Sequence, residues 1–322
     1  MYKIKQVPED FVVREKSRIE LSDNGEFSYF TLRKRNYTTL RAVQAVANAL
    51  KIAPKFVGFA GTKDKNAVTE QSISIKSIKK EELKLKDINL EFIGYGDKPL
   101  SLGDLEGNSF EIVVRNLDSF DDFKERDKFI NLFGEQRFSS NNAGIGKAII
   151  RKDFKKAIEL ILVDERDYKP VIEEHLEKNQ NDYVGALQKL PKKMVSMYTH
   201  AYQSLLWNQT ALGLKDNAEN IKVPIVGFGT EVDEIKNQKL KSMINEIINK
   251  EKIKPRDFII RELQGLSPEG TERDLFAEIK DLKIMEKSDD ELNKGKKKIK
   301  LSFFLRKGCY ATEAVKALFH QA

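Results

Sequence analysis

Apolar positions change their spacing several times along this chain, and each change marks an element. In DFVVRE and EFSYFTLRKR, β-branched and aromatic side chains predict two strands within residues 1 to 35, parted by a turn at Ser22–Gly25. From Thr38 or Thr39 the spacing becomes helical through TLRAVQAVANAL. A threonine there is placed to cap the first turn, and Pro54 closes the segment off. FVGFA predicts a short buried strand and Gly61 opens a loop. SISIK (72 to 76) and SFEIVVR (109 to 115) predict further strands. KFINLFG reads as the end of a helix stopped by Gly134, and KAIIRKDFKKAIELIL as a helix.

The middle of the chain changes character. From about residue 152 to 277 the helical pattern dominates, as in TEVDEIKNQKLKSMINEIINKEKI, with Pro and Gly confined to loops. EKSDDELNKGKKK is a charged hairpin or linker. KIKLSFFLR returns to alternation, and ATEAVKALFH closes the chain as a helix. This order predicts an α/β (α+β) protein whose mixed, largely antiparallel sheet is built from both chain ends, at residues 1–151 and 278–322. A helical α/β insertion domain at 152–277 interrupts it. A length of 322 residues is consistent with about two domains.

Composition narrows the class. With 40% apolar and 33% charged residues, a sizeable core can form under a heavily charged surface. Lys and Arg number 57 against 50 acidic residues, a net charge of +7, which fits a phosphate-bearing partner and equally an ordinary basic protein. A single cysteine, Cys309, excludes an internal disulfide. His175, His200 and His320 have no ligand spacing, so no metal site is expected. No stretch approaches the roughly 20 apolar residues a bilayer demands, and the N-terminus lacks a signal-type apolar run, so a cytoplasmic protein without membrane contact is expected. GIGK at 144 to 147 lacks the further glycine and hydroxyl residue of a phosphate loop, and is assigned to helix packing.

The segment that carries chemistry is GTKDKNAVTEQ, residues 61 to 71. A strand runs into a Gly-initiated loop and a second strand follows, an arrangement in which a rigid sheet aims loop side chains. Asp64 stands between Lys63 and Lys65. A carboxylate beside cations stays ionised and can act as a nucleophile. Taken alone, an aspartate in such a loop equally serves as a turn former through its bond to backbone.

The motif decides between these readings. GTKDKNAVTEQ resembles the catalytic segment of the TruD family of tRNA pseudouridine synthases, G-x-K-D-x-x-A-x-T-x-Q, at Gly61, Lys63, Asp64, Ala67, Thr69 and Gln71. Further blocks resemble the family in order: PEDFVVRE (8 to 15), LGDLEGNSFEIVVRN followed by NLFGEQRF (131 to 138), HAYQSLLWN (200 to 208) and GCYAT (308 to 312). Between them the likeness is patchier, with RELQGLS (261 to 267) the best anchor.

The resemblance implies an isomerase that turns a uridine of tRNA, position 13 in the bacterial branch, into pseudouridine. It implies no cofactor, no metal and no protein partner, and a monomer is expected. Asp64 would be the catalytic nucleophile, starting cleavage of the glycosidic bond. The extruded base needs walls. Phe11, Phe133 and Tyr310 align with positions lining the target pocket, with Phe133 the foremost stacking candidate. Asn131 aligns with an amide that bonds uracil or the nucleophile, and Lys5 with a lysine contacting the target or its phosphate. Lys63, Gln71 and Arg137 would support them, Arg137 with a guanidinium that can grip a carboxylate or phosphate. On the residues alone the aromatics serve as core, Asn131 as a helix-end residue and Lys5 as a solvated lysine.

Two departures from the family stand out. Ser139 replaces a glycine after QRF, which argues against a positive φ there. Arg306 replaces a proline in FLRKG, adding charge next to Lys307. Two rival classes remain. A non-catalytic RNA-binding or chaperone protein on the same scaffold has no use for a carboxylate in an anion-binding cleft. A glycoside- or nucleoside-processing hydrolase wants a second placed carboxylate, and neither Glu70 nor Glu135 is a fixed family position.

Overall fold

A computed structural model describes residues 1–76, 82–139, 141–164, 166–217 and 219–319; His320 lies outside them. Along the chain come β1 (Phe11–Ser17), β2 (Phe27–Arg35), α1 (Thr39–Ala49), β3 (Val57–Phe59), β4 (Val68–Lys76), β5 (Leu83–Leu85), β6 (Ile88–Gly96) and β7 (Leu105–Leu117). Then follow β8 (Lys128–Ile130), α2 (Asn142–Ile150), α3 (Phe154–Asp164), α4 (Lys169–Lys178), α5 (Tyr183–Gln188) and α6 (Lys192–Gly213). The chain continues through β9 (Lys222–Ile225), α7 (Gln238–Glu251), β10 (Thr271–Asp274), β11 (Phe276–Glu278), β12 (Lys280–Asp289), β13 (Lys297–Arg306) and α8 (Ala311–Phe319).

These elements form two compact units, Met1–Phe129 with Ala277–Ala322, and Ile130–Phe276. The first is a mixed sheet in the order β12-β13-β7-β1-β4-β2-β6-β5, with β3 also on β4. Neighbours run antiparallel except β1 and β4, which run parallel. The expected α/β architecture, with a largely antiparallel sheet built from both chain ends, is therefore present.

Helix α1 begins because Thr38 accepts the Arg41 amide at 3.2 Å, and its Ala42, Val43 and Val46 face Phe30, Leu32, Ile73 and Ile75. A second core joins Phe11, Val13, Ile112, Leu301 and Phe303 to Val315 and Leu318 of α8.

One edge of β4 changes neighbour along its length. Val68, Thr69 and Glu70 pair with β1, whereas Ile73, Ser74 and Ile75 pair with β3. The loop from β3 to β4, residues 60 to 67, therefore opens beside the point where the sheet switches partner.

The second unit holds α2 to α7 and a two-stranded ladder of β9 and β10. Its core gathers Ile145, Ile149, Tyr198, Tyr202, Trp207 and Phe258. GIGK lies within α2, where a Cβ on Gly146 would stand 2.0 Å from the Tyr198 carbonyl oxygen of α6. Its glycine serves close helix packing.

Two expectations are corrected. KFINLFG is not a helix end: Lys128–Ile130 is a strand, and Gly134 (φ −68°) precedes a short 3-10 turn at Glu135–Phe138. Its amides bond far along the chain, Asn131 to the Leu275 carbonyl at 2.8 Å and Phe133 to the Asn208 side chain at 2.9 Å, instead of to the preceding helical turn. The helix read through KAIIRKDFKKAIELIL breaks at Lys152, whose φ is 61°. The Lys152 amine reaches the carbonyls of Asp257 and Ile259 at 2.8 and 2.7 Å, and Asp153 restarts the helix by accepting the Lys156 amide at 3.1 Å.

Among the described residues no helix is long and apolar enough to cross a membrane, and no group of three His, Cys, Asp or Glu could hold a metal ion.

Candidate active site

The loop bearing Asp64 is fixed at one atom after another. The Gly61 carbonyl accepts the Gln71 amide at 2.9 Å. Gln71 accepts the Thr39 hydroxyl at 2.9 Å, and that same hydroxyl accepts the Lys63 amide at 2.8 Å. Thr39 and Gln71 are both buried, so these bonds form away from competing water. Beyond Asp64, the Ala67 amide returns to the Lys65 carbonyl at 2.9 Å. The Lys63 ammonium turns inward onto Glu15, with the two side chains 6% and 0% exposed. Glu15 also accepts the Ser72 amide at 3.3 Å and the Ser17 hydroxyl at 2.9 Å, closing the place where β4 leaves β1. Lys63 and Gln71 thus hold the loop rather than reach out of it.

The Asp64 carboxylate points the other way. Its side chain is 30% exposed and is paired with the Lys5 ammonium, which also lies 4.1 Å from the Phe11 ring centroid. Phe11 is buried in the core and meets Phe110 edge-on, so one face of a core aromatic carries the cation.

Lys5 owes its place to its backbone, which is left-handed at φ 59°, a conformation a lysine adopts only when its surroundings impose it. On one side Lys3 and Arg115 exchange backbone hydrogen bonds at 2.8 Å. On the other, the amides of Gln6 and Val7 donate to Asp10 at 3.0 and 3.1 Å. Arg115 ties both sides to the hairpin of β12 and β13, donating to Asp10 at 2.8 Å and Asp290 at 2.9 Å. Asp290 accepts the Asn116 amide and the Asn293 side chain as well, and its pKa falls to about 2: burial works against that, and these hydrogen bonds outweigh it.

Sequence reasoning passed over Glu15 and the buried Lys34, although a signal was available. Alternation places Glu15 on the face of Phe11 and Val13, and Lys34 on the face of Phe30 and Leu32. Each strand thus ends an apolar face on a charge, and both charges lie under the Asp64 loop. Lys34 donates to the Asp64 backbone carbonyl at 2.9 Å and to the Tyr37 carbonyl.

The second unit assembles three further candidates. Asn131 is buried, and its amide orientation is set from both ends. Its nitrogen donates to the Asp274 carbonyl at 3.2 Å, and its oxygen accepts Arg273 at 2.6 Å. Phe133 is gripped at its backbone by Asn208, which donates to its carbonyl and accepts from its amide, both at 2.9 Å. Its ring meets Trp207 edge-on at 5.6 Å, with the Arg273 guanidinium 4.3 Å from the centroid and that of Arg137 at 5.8 Å. Arg137 donates to Ser204 at 3.3 Å. Arg273 and Asn208 were not among the sequence candidates, and nothing in the spacing around Arg273 distinguishes it from other charged residues.

The chain as a whole also matches known proteins. The family model described as tRNA pseudouridine synthase D (TruD) matches residues 2–172, 166–227 and 213–318. The chain belongs to the TruD family. The tRNA pseudouridine synthase D of Aquifex aeolicus is 30% identical, the match covering 98% of each chain. A probable tRNA pseudouridine synthase D 2 of Methanocaldococcus jannaschii is 32% identical over 98% of this chain and 91% of its own. The crystal structure of a putative tRNA pseudouridine synthase D from Methanosarcina mazei shares the fold with a TM-score of 0.73 at 26% identity, covering 98% of this chain and 93% of that one.

Within the TruD pattern, the remaining candidate, Tyr310, is half-buried just before α8, where its carbonyl accepts the amides of Glu313 and Ala314 at 3.1 and 3.2 Å. Gly308, two residues earlier, takes a φ of 84° that a side chain would resist. Of the two departures from the TruD blocks, Ser139 adopts φ −51°, so no glycine is required there. Arg306 and Lys307 are exposed, and Lys307 reaches the Gly103 carbonyl at 2.9 Å.

Proposed function

We propose that this chain converts a uridine of tRNA, at position 13, to pseudouridine without a cofactor, with Asp64 as the nucleophile. One observation carries the reading. Asp64 is the carboxylate of a loop held at the Gly61 carbonyl, at the Lys63 amide and ammonium and at its own carbonyl, yet its side chain remains partly open and is paired with Lys5. A fixed and accessible carboxylate held beside an ammonium is what covalent catalysis at a glycosidic centre calls for.

In the reaction the bond from uracil N1 to C1′ of the ribose breaks and a bond from C5 to C1′ forms. The proton on C5 is lost and N1 gains one, so the product is an isomer. Asp64 initiates the cleavage. By the TruD resemblance, Phe133 is a residue that stacks on a base and Asn131 one that hydrogen-bonds a base. Phe11 and Tyr310 wall the base, and Lys5 holds Asp64 until substrate arrives.

The test is a transcript-by-transcript pseudouridine map after incubation with the purified protein and with its Asp64→Asn variant. The wild type is expected to modify tRNA, and the variant to make no product while binding tRNA within about three-fold, since one uncharged substitution removes the nucleophile and no phosphate contact. Conversion by the variant overturns the nucleophile. Binding without product by the wild type on every transcript overturns the activity.

A further inference from the structure

We propose that Lys34 is a positioning residue for this reaction, holding the Asp64 main chain through its carbonyl and setting a positive charge behind the nucleophile. The proposal rests on the reading of Asp64 given above.

Lys34 is 2% exposed, among the largest fully buried side chains of the protein. A lysine is seldom buried unless paired, because its charge is costly to remove from water. Among the described residues no carboxylate lies within ion-pair distance of it, and its ammonium donates two hydrogen bonds, both to main-chain carbonyls, those of Asp64 and Tyr37. Directly opposite Lys34 in the ladders stand Thr69 of β4 and Ile88 of β6, neither of them charged. The Thr69 hydroxyl is itself buried with no partner among the described residues. Packing gives no reason for an ammonium here, since the same face of β2 carries Phe30 and Leu32 and an unbranched apolar chain would fill the space.

The charges that face Lys34 are those of the site. From the β3–β4 loop come Asp64, which favours the ammonium, and Lys63, which opposes it. Lys63 is neutralised by Glu15 of β1, and Asp64 is shared with Lys5 of the N-terminal arm. Burial is the largest influence and brings the Lys34 pKa down to about 8. The residue therefore loses its charge within a range an enzyme assay can reach.

The experiment compares wild type, Lys34→Met, Lys34→Gln and Asp64→Asn in single-turnover pseudouridine formation on a tRNA transcript from pH 6 to 9.5, with tRNA binding and thermal melting measured alongside. The wild-type rate is expected to fall as pH rises through about 8, since the ammonium is present below that value and absent above it. At pH 7 Lys34→Met should be about thirty-fold slower, in line with loss of a charged hydrogen bond, with tRNA affinity within about three-fold. Both Lys34 variants should lose the alkaline decline and melt no lower than wild type at pH 7. A role confined to stability would lower the melting point and leave the pH profile in place.

Wild-type rates in Lys34→Met, or the alkaline decline retained in either variant, overturn the proposal. Should neither variant fold, a wild-type rate that stays level through pH 8 overturns it. An inactive Asp64→Asn beside fully active Lys34 variants rejects Lys34 alone, whereas an active Asp64→Asn rejects the nucleophile.

Discussion

The Lys5 ammonium pairs with the Asp64 carboxylate from a left-handed backbone that its neighbours enforce on both sides. The pairing holds the Asp64 carboxylate in one orientation. Lys5→Met keeps the chain length and the packing on Phe11 while removing the charge. A fall of roughly 10- to 100-fold in the single-turnover rate is expected, the loss of one charged hydrogen bond, with tRNA binding changed by less than about three-fold. Rates equal to wild type would show that Asp64 needs no partner.

Arg273 works on two groups at once, donating to the Asn131 amide oxygen and lying over the Phe133 ring. It also donates to the Asn131 backbone carbonyl at 2.8 Å. A lysine is a point donor without a planar face and cannot do all three. Arg273→Lys should lower kcat/KM by about 10-fold, with Asn131 no longer held in one amide orientation. Unchanged kinetics would show that the contacts of Arg273 with Asn131 and Phe133 do not bear on the reaction.

How far the sequence disclosed this site depends on what fixes each residue. Asp64, Lys63 and Gln71 sit in one contiguous motif, so the sequence presents them together as candidates. Thr39, Glu15 and Lys34 act on that motif from α1, β1 and β2, and only the sheet brings them under it. Charged residues that end an apolar strand face are the one trace they leave in the sequence. The stretch from Lys128 to Gly134 misled for a related reason. Its apolar spacing suits a helix, but Asn131 and Phe133 find their partners at Leu275 and Asn208, which no local pattern encodes.

Acid should loosen the support of Lys5. The Asp290 pKa is lowered from 3.8 to about 2, so its contribution to stability is whole above about pH 4 and disappears as pH falls toward 2. Asp290→Asn should cost about 2 to 4 kcal/mol at pH 7, because Arg115 keeps Asp10 but loses a buried partner. Urea unfolding between pH 2 and 7 checks this. The variant should show a shallower dependence below pH 4, and parallel curves would refute the assignment.

Gly146 is where α2 and α6 meet. An added methyl group would stand 2.0 Å from the Tyr198 carbonyl oxygen, so Gly146→Ala must push the helices apart. A cost of about 1 to 3 kcal/mol is expected, read as a melting point lower by several degrees. A melting point within one degree of wild type, read by calorimetry, would show that the helices yield freely.

The strand order also dictates a schedule for synthesis. Residues 130 to 276 leave the ribosome as an unbroken run that contains every strand and helix of its own core. The sheet unit cannot finish then, because β7 lacks β13 and the Phe11 core lacks Val315 and Leu318 until the last residues emerge. The inserted unit is complete first, while the nascent sheet exposes an unpaired edge and half a core. A stop codon before β13 would therefore leave the Asp64 loop intact in sequence but mounted on a sheet that cannot close, and such a product is a substrate for proteases rather than a weaker enzyme.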